Sequence, residues 1–419
     1  MINPGRNSRS ALLAPFAVRD FRLQFPADLA TSWGIEMEVL ILGWYILAET
    51  GSVFLLTVYG SLQYTGTLVA PVIGMAGDRF GHRNVLCVMR ASYAVLAAVM
   101  AAMAFTGTMR PVFVLSLAAV NGIVRPSDLA IRNALVADIM PAGQLMPAMG
   151  VSRTTSDSAR IFGSMAGAAL LATLGIGPAY VVIVVLYLGG LVMTARIHQR
   201  PPGVPASARG GLAFLREVQD GMAYVRHTPN VHAGMWLAFL VNLLAFPMTS
   251  GLLPYVAREV YHIGQTGLGT LVASFATGAL LGSLTTGVLG ASFRPARMMM
   301  LFATAWFALV LVFVQMPGPT GGRISLVLAG YAQSLSMVPL ATMLLKTAGP
   351  RYRGRVMGVR MLAIYGLPIG LLASGVLIPW IGFRLTATLY CLAGLGLMAL
   401  IGFWWRAAIF PLSAIGNQR

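Results

Sequence analysis

Apolar stretches of about twenty residues recur along the whole chain, each cut from the next by a few glycines, prolines or arginines. No other feature restricts the fold as much. A helix of about 20 residues crosses the roughly 30 Å hydrocarbon core of a bilayer. In lipid the backbone must satisfy its own hydrogen bonds, so such stretches are helices rather than isolated strands. They fall at about 25–48, 53–77, 84–107, 112–135, 148–174 and 178–197, then at about 232–257, 266–291, 298–316, 324–346, 356–379 and 383–407. The pattern predicts an all-α membrane protein with twelve transmembrane helices. Only 10% of residues are charged, against roughly 25% in a soluble domain. A dozen spans use up nearly all of the 419 residues, which leaves no room for a soluble catalytic domain and argues against an enzyme.

The net charge of +17 would suggest nucleic acid in a soluble protein. Here the cations lie between the apolar runs, where the positive-inside rule explains them, so no nucleic-acid partner is expected. With the N-terminus inside, the cytoplasmic side receives the arginines between 6 and 22, Arg79, Arg83, the arginines between 196 and 226, Arg294, Arg297, Lys346 with the arginines up to 355, and Arg406. The opposite side receives Arg110, Arg258, Arg323 and Arg384. Both termini are therefore expected in the cytoplasm. The polar start, through Arg6, Arg9, Arg19 and Arg22, does not resemble a cleaved signal peptide. Cys87 and Cys391 lie far apart inside apolar runs and suggest neither a disulfide framework nor a metal cluster. Motifs for direct ATP use, for a zinc protease and for a lipase are absent from the sequence.

One long polar stretch divides the chain into 1–197, a linker at 198–231, and 232–419. The linker opens with Arg200-Pro201-Pro202-Gly203. Further on, Leu212, Leu215 and Val218 alternate with Arg216, Glu217 and Asp220, the pattern of an amphipathic helix on the membrane surface. The halves echo each other. Met149-Gly150-Val151 is matched by Met357-Gly358-Val359, and the glycines between 66 and 77 by those between 278 and 290. Such repetition is the mark of a secondary transporter, whose halves move around a central site.

The most specific motif lies between the second and third spans: Gly74-Met75-Ala76-Gly77-Asp78-Arg79-Phe80-Gly81-His82-Arg83. It resembles the signature loop of the major facilitator superfamily, G-x-x-x-D-R-x-G-R followed by Arg or Lys, with His82 in place of an arginine. The resemblance implies two pseudo-symmetric six-helix bundles. It also implies that Gly74, Asp78, Arg79, Gly81 and Arg83 form a conformational latch favouring the outward-open state. Gly74 is expected to let helices approach and Gly81 to permit the turn. The matching loop of the second half, Ser292-Phe293-Arg294-Pro295-Ala296-Arg297, lacks the acid.

A second stretch, from Asn121 through Arg125, Asp128, Arg132 and Asp138 to Pro141, resembles R-x-x-D-x-x-x-R-x-A-L-x-x-D/E-x-x-P of the third drug–proton antiporter family. That group includes macrolide and enterobactin exporters. Ala159-Arg160-Ile161-Phe162-Gly163 and Arg353-Gly354-Arg355-Val356-Met357-Gly358 add to the likeness, as does the run from Phe214-Leu215-Arg216 to Tyr224-Val225-Arg226. Where such antiporters carry G-P-x-x-G, this chain has Gly163-Ser164-Met165-Ala166-Gly167, which keeps the small residues and loses the proline. The family implies a multi-pass protein of a bacterial cytoplasmic (inner) membrane, acting as a monomer among lipids. It would have no cofactor beyond the proton gradient.

Charges within the spans cost at least roughly 2.5–3.5 kcal/mol each at the bilayer centre, so each needs a role. The fourth span holds Arg125, Asp128 and Arg132, and the fifth holds Arg153, Asp157 and Arg160. Their spacing lets Asp128 and Asp157 each reach two arginines on one helix face, as neutral clusters that tie helices together. In the first span Asp28, Glu36 and Glu38 have no basic partner on the same helix. Asp28 lies near the inner end, where it could face water. Glu36 and Glu38 are about 200° apart around the helix and cannot share a face; they flank a stripe of Asp28, Thr31, Ser32, Ile35 and Val39. A buried carboxyl without a cation holds its proton more tightly, because desolvation penalises the charged form. Glu36 is favoured over Glu38 and Asp28 as the proton-coupling acid; the alternative is that one glutamate pairs statically with Arg125. Trp33, Tyr64, Asn242, Phe246, Tyr331, Gln333 and Tyr365 are candidates for a substrate cavity, on spans that line it in the superfamily.

The expected activity is proton-coupled efflux of a drug-like, siderophore-like or other amphipathic organic solute by alternating access, with multidrug resistance as a consequence. An importer or a lysolipid flippase is the alternative on the same fold, and a non-transporting receptor or assembly partner the alternative of another class.

Overall fold

The computed structural model describes residues 14–198, 211–289 and 294–406. Arg6, Arg9, Arg200, Pro201, Pro202, Gly203, Ser292 and Phe293 lie outside the described residues, as do the side chains of Leu212, Phe214, Leu215, Arg216, Glu217, Val218 and Arg353. Among the described residues every regular element is a helix. They are α1 (Arg19–Thr50), α2 (Val53–Leu62), α3 (Ala70–Phe80), α4 (His82–Phe105), α5 (Pro111–Val124), α6 (Asp128–Ile139), α7 (Leu145–Ser158), α8 (Ser164–Leu174) and α9 (Ile176–Ala195). There follow α10 (Gly211–His227), α11 (Pro229–Leu240), α12 (Gln265–Leu289), α13 (Pro295–Gln315), α14 (Pro319–Thr347), α15 (Gly349–Ala363), α16 (Gly366–Ile381) and α17 (Phe383–Trp404). Nine helices among the described residues are long and apolar enough to cross a membrane, and the bent pair formed by α2 and α3 makes a tenth. The remaining two expected spans coincide with α1 and with the continuous run from α7 to α8. Both have spanning length, but the acids of α1 and the serines and charges of α7 dilute their apolar character.

The breaks have local causes. Pro71 opens α3, and the chain bends by 50° between α2 and α3. Pro126 withdraws a donor between α5 and α6, and the helix tightens to a 3-10 turn at Arg125–Ser127. Between α7 and α8 the helix widens to a π segment at Ala159–Gly163, and three further π segments follow α11: Val241–Ala245, Pro247–Gly251 and Val256–Val260. A π segment shifts the register of every side chain beyond it, a device frequent at functional sites.

The chain forms two compact units. The first comprises Met1–Leu55, Leu62–Ala208 and Ile263–Ala273; the second comprises Leu56–Ser61, Arg209–His262 and Ser274–Arg419. In the first, α1 packs along α9, α4 packs on the same α9, and α7, the π segment and α8 run against α1. In the second, α13 lies against α14 and α17, and α11 contacts α14, α15 and α17.

Each unit contains the same reciprocal glycine seam. In the first, a Cβ on Gly66 would overlap the carbonyl of Ile123, and one on Gly122 the carbonyl of Leu62. In the second, a Cβ on Gly278 would overlap the carbonyl of Val327, and one on Gly330 the carbonyl of Phe275. The glycine echo at 66 and 278 is thus two backbones in contact with no side chain between them.

The C-terminal part of helix α10 makes contacts with α14 and α15. Asp220 pairs with Arg355 at 3.2 Å, Tyr224 stacks on Tyr352 at 4.6 Å, and the Tyr224 hydroxyl donates to the Thr347 carbonyl at 2.9 Å.

Candidate functional site

Helix α1 carries the chemistry of the first unit, because its acids meet partners from four other segments. Asp28 is buried, not facing water as its position near the helix end suggested: it pairs with Arg90 of α4 and accepts from Gln24 Nε2 at 2.7 Å. Arg90 is also fully buried, and it donates to the Gly190 carbonyl at 3.1 Å and to Thr194 on α9. Sequence reading missed Arg90. Its signal was an arginine inside the third apolar run, where a charge needs a role.

One turn along, Arg132 of α6 donates to Ser32 at 2.8 Å and pairs with Asp128 at 2.6 Å. Asp128 does not gather Arg125 as well. Arg125 turns instead to Glu38 at 2.9 Å and to Gln63, because the 3-10 turn at Pro126 breaks the simple i, i+3 geometry between Arg125 and Asp128. Glu38 also accepts from the Tyr187 hydroxyl at 3.0 Å and from Asn121 at 3.4 Å. Gly34 leaves the space for that tyrosine, since a Cβ there would lie 2.7 Å from its ring. Glu38 is 3% exposed and fully engaged, so it is the statically paired glutamate. The buried stripe of α1 therefore includes Glu38, while Ile35 and Val39 are only half-buried.

Glu36 is placed differently. It is half-buried and makes no ion pair or hydrogen bond through its carboxyl among the described residues. Its electrostatic neighbours are Arg160, Arg125 and the Tyr64 phenol. The fifth-span glycines set this seam: a Cβ on Gly163 would lie 3.2 Å from the Trp33 backbone and 3.3 Å from Glu36 Cβ, and one on Gly167 would lie 2.9 Å from Met37. Small residues at the Gly163-to-Gly167 spacing therefore do pack a helix closely, without the proline. Asp157 pairs with Arg153 at 3.8 Å, while Arg160, which the π segment beginning at Ala159 carries out of register, stays beyond ion-pair distance but within the field of Asp157.

In the loop between α3 and α4, Gly81 takes φ +86° and turns the chain. The helix-packing glycine is Gly77, whose Cβ would lie 2.7 Å from His82 and 3.1 Å from Ile131, and not Gly74, which faces open space. His82 joins three helices: Nδ1 meets Asp138 of α6 at 2.7 Å, and Nε2 lies 3.5 Å from Asp78. Arg83 donates to the Ala195 carbonyl of α9. Arg79 is exposed over the Phe80 ring. The residue that departs from the family pattern is thus the one that bridges the loop to α6.

The cavity candidates divide by unit. Trp33 lies 6.2 Å from Phe162, and its buried indole N–H has no acceptor. Tyr64 stands just before the 3-10 turn Thr65–Leu68, ahead of the bend in the second span. In the second unit, Asn242 sits in a π segment and donates to the Ala238 carbonyl at 2.8 Å. Phe246 meets Trp306 edge-on at 4.8 Å, and the Tyr331 hydroxyl is 3.4 Å from Thr285. Gln333 and Tyr365 are half-buried on α14 and at the start of α16.

A helical membrane protein in which Asp28 and Glu38 meet arginines on neighbouring spans while Glu36 makes no ion pair among the described residues, with a charged loop turning on a left-handed glycine, fits a membrane transporter. The Major Facilitator Superfamily profile matches residues 25–264 and 235–414, and the chain belongs to that family. Its fold and family are those of transporters, not of enzymes. Macrolide efflux protein A of Streptococcus pyogenes is 24% identical over 380 residues, covering 87% of this chain and 91% of that protein. The enterobactin exporter EntS of Escherichia coli O1:K1 is 23% identical over 305 residues, 72% of this chain and 70% of that one. Among solved structures, the inward-open xylose transporter XylE from E. coli shares the fold with a TM-score of 0.68 at 14% identity, covering 91% of this chain and 95% of that one. A bacterial homolog of the human lysosomal transporter Spinster gives 0.70 at 14% identity, covering 93% and 97%.

Proposed function

We propose that this chain is a proton-coupled exporter of amphipathic organic solutes, of macrolide-like or siderophore-like chemistry, in the bacterial cytoplasmic membrane with both termini inside. One observation carries the reading: Glu36 is an intramembrane carboxyl with no partner in contact, while Glu38 and Asp28 beside it are fully engaged. A structural role would leave no reason to bear the cost of that charge. Proton binding to Glu36 from outside removes its charge, and the two forms favour different conformations because a ligand shifts an equilibrium only through differential affinity. The names of the two relatives support the direction of transport.

The test uses purified protein in proteoliposomes with a pH-sensitive dye inside and erythromycin as the first solute. Glu36→Gln is expected to abolish solute-driven proton movement and to leave the unfolding temperature close to wild type. Glu38→Gln is expected to lower that temperature, because the neutral amide leaves the largely buried Arg125 without its counter-charge. Normal coupling in Glu36→Gln would remove the role from that residue. A thermal-shift screen over macrolides, catecholate siderophores, lysolipids and sugars identifies the solute class, since binding raises apparent stability by mass action. A sugar hit would count against export.

The latch is proposed to act through His82. Asp138→Asn removes its closest partner and is expected to slow transport by roughly five- to tenfold, within the usual range for a conformational coupling. Asp78 is largely exposed, and screening leaves an exposed pair little to contribute. Asp78→Asn should therefore cost less than Asp138→Asn. The reverse order would place the latch on Asp78 and Arg79 instead.

A further inference from the structure

Glu36 and Arg160 form an unusual pair. They lie on helices packed through Gly163, they feel each other electrostatically, and yet they are more than 4 Å apart, with neither in an ion pair among the described residues. Both are half-buried. Arg125, the other cation near Glu36, is already occupied by Glu38 at 2.9 Å. What remains is one negative and one positive group, separated, inside the spans of one compact unit, with Asp157 the further acid in the field of Arg160. The Tyr64 phenol stands in the same field, and the buried Trp33 indole N–H beside them lacks an acceptor.

We propose that Glu36 and Arg160 form a dipolar seat, and that the transported solute presents an acceptor or anionic group to Arg160 and a donor or cationic group to Glu36. The inference rests on the exporter reading and names its substrate class. A simple cation would meet Glu36 but be opposed by Arg160 and Arg125. A simple anion would meet Arg160 but be opposed by Glu36. A dipolar group meets both favourably, and in a site of low dielectric that difference is large. The Trp33 indole N–H adds a donor for a further acceptor on the solute.

The seat also fixes the sign of coupling. A proton on Glu36 removes the attraction for the solute's donor end and leaves Arg160 with the Asp157 carboxylate in its field, so proton and dipolar solute compete. Competition is what exchange of one for the other requires. An anion would do the opposite: it would neutralise Arg160, favour the protonated form of Glu36, and bind together with the proton.

Three dansyl compounds with the same aromatic body test the seat by fluorescence titration of the full-length protein. These are ε-dansyl-lysine, which is zwitterionic, dansyl-cadaverine, which is cationic, and dansyl-glycine, which is anionic. Wild type is expected to bind the zwitterion roughly tenfold more tightly than either monopole. Arg160→Gln should turn the preference to the cation, and Glu36→Gln to the anion. The swap Glu36→Arg with Arg160→Glu should recover part of the zwitterion's affinity, which a purely structural role would not predict. Lowering pH from about 7.5 to about 5.5 should weaken zwitterion binding in wild type but not in Glu36→Gln, because the competing proton binds at Glu36. A zwitterion that binds no better than the monopoles, or a preference that Arg160→Gln does not change, overturns the seat. Zwitterion preference without coupled proton movement overturns only the exporter reading, and coupling with dansyl-cadaverine that ignores Arg160→Gln overturns only the seat.

Discussion

Arg90→Leu is expected to destabilise the protein by about 3–5 kcal/mol, the usual cost of removing one member of a buried ion pair. Arg90 is completely buried, and its guanidinium serves Asp28, the Gly190 carbonyl and Thr194 at once. It therefore ties α1, α4 and α9 together at one level. Gly190 is part of the same device: a Cβ there would lie 2.5 Å from the Thr31 hydroxyl, so glycine lets α9 come close enough to be held. With leucine at 90, the Asp28 carboxylate would keep only its bond from Gln24. The variant should unfold at a clearly lower temperature in detergent. Adding Asp28→Asn should recover a large part of the loss, since no buried charge then remains unpaired. A single mutant as stable as wild type would show that Asp28 is held without Arg90.

Hydropathy read the helices well because lipid leaves a spanning backbone almost no alternative. Its limit was at α1 and α7, where functional polar residues dilute the apolar signal. The loop at 74–83 was legible as a motif, and Gly81 does turn the chain with positive φ. The packing glycine was not legible. Gly74 and Gly77 stand one helical turn apart, and only the neighbouring helix decides which of them meets Ile131. The charges show the same limit. Spacing along one helix found the Asp128–Arg132 pair but also grouped Arg125 with Asp128, whereas its contact with a first-span glutamate, offered in the sequence only as the alternative, is with Glu38, 87 residues away. Sequence separation carries no information about such contacts. The pairing of Asp28 with Arg90 escaped for the same reason, and the separation of Glu36 from Arg160 depends on a π segment that leaves no composition signal.

The glycine seams give the other large effect, and they carry their own control. Gly122→Ala would place a methyl group on the Leu62 carbonyl, and Gly330→Ala would place one on the Phe275 carbonyl. Overpacking costs typically about 1–3 kcal/mol when side chains can move aside. Here the obstacle is backbone in a neighbouring helix, so the helices themselves must separate, and the cost should reach about 3 kcal/mol or more. Gly150 and Gly358, the glycines of the matching Met-Gly-Val triplets, have nothing within 4 Å of the place a methyl group would take. Alanine at either should be neutral or stabilising by up to about 1 kcal/mol, because it favours the helix over glycine. Thermal unfolding of the four single mutants separates the cases. If Gly122→Ala and Gly330→Ala behave alike and Gly150→Ala and Gly358→Ala do not follow them, the two units share one packing rule at equivalent places. If Gly122→Ala is tolerated as well as Gly150→Ala, the second and fourth spans are not in backbone contact, and the seam is wrong in the unit that holds Glu36.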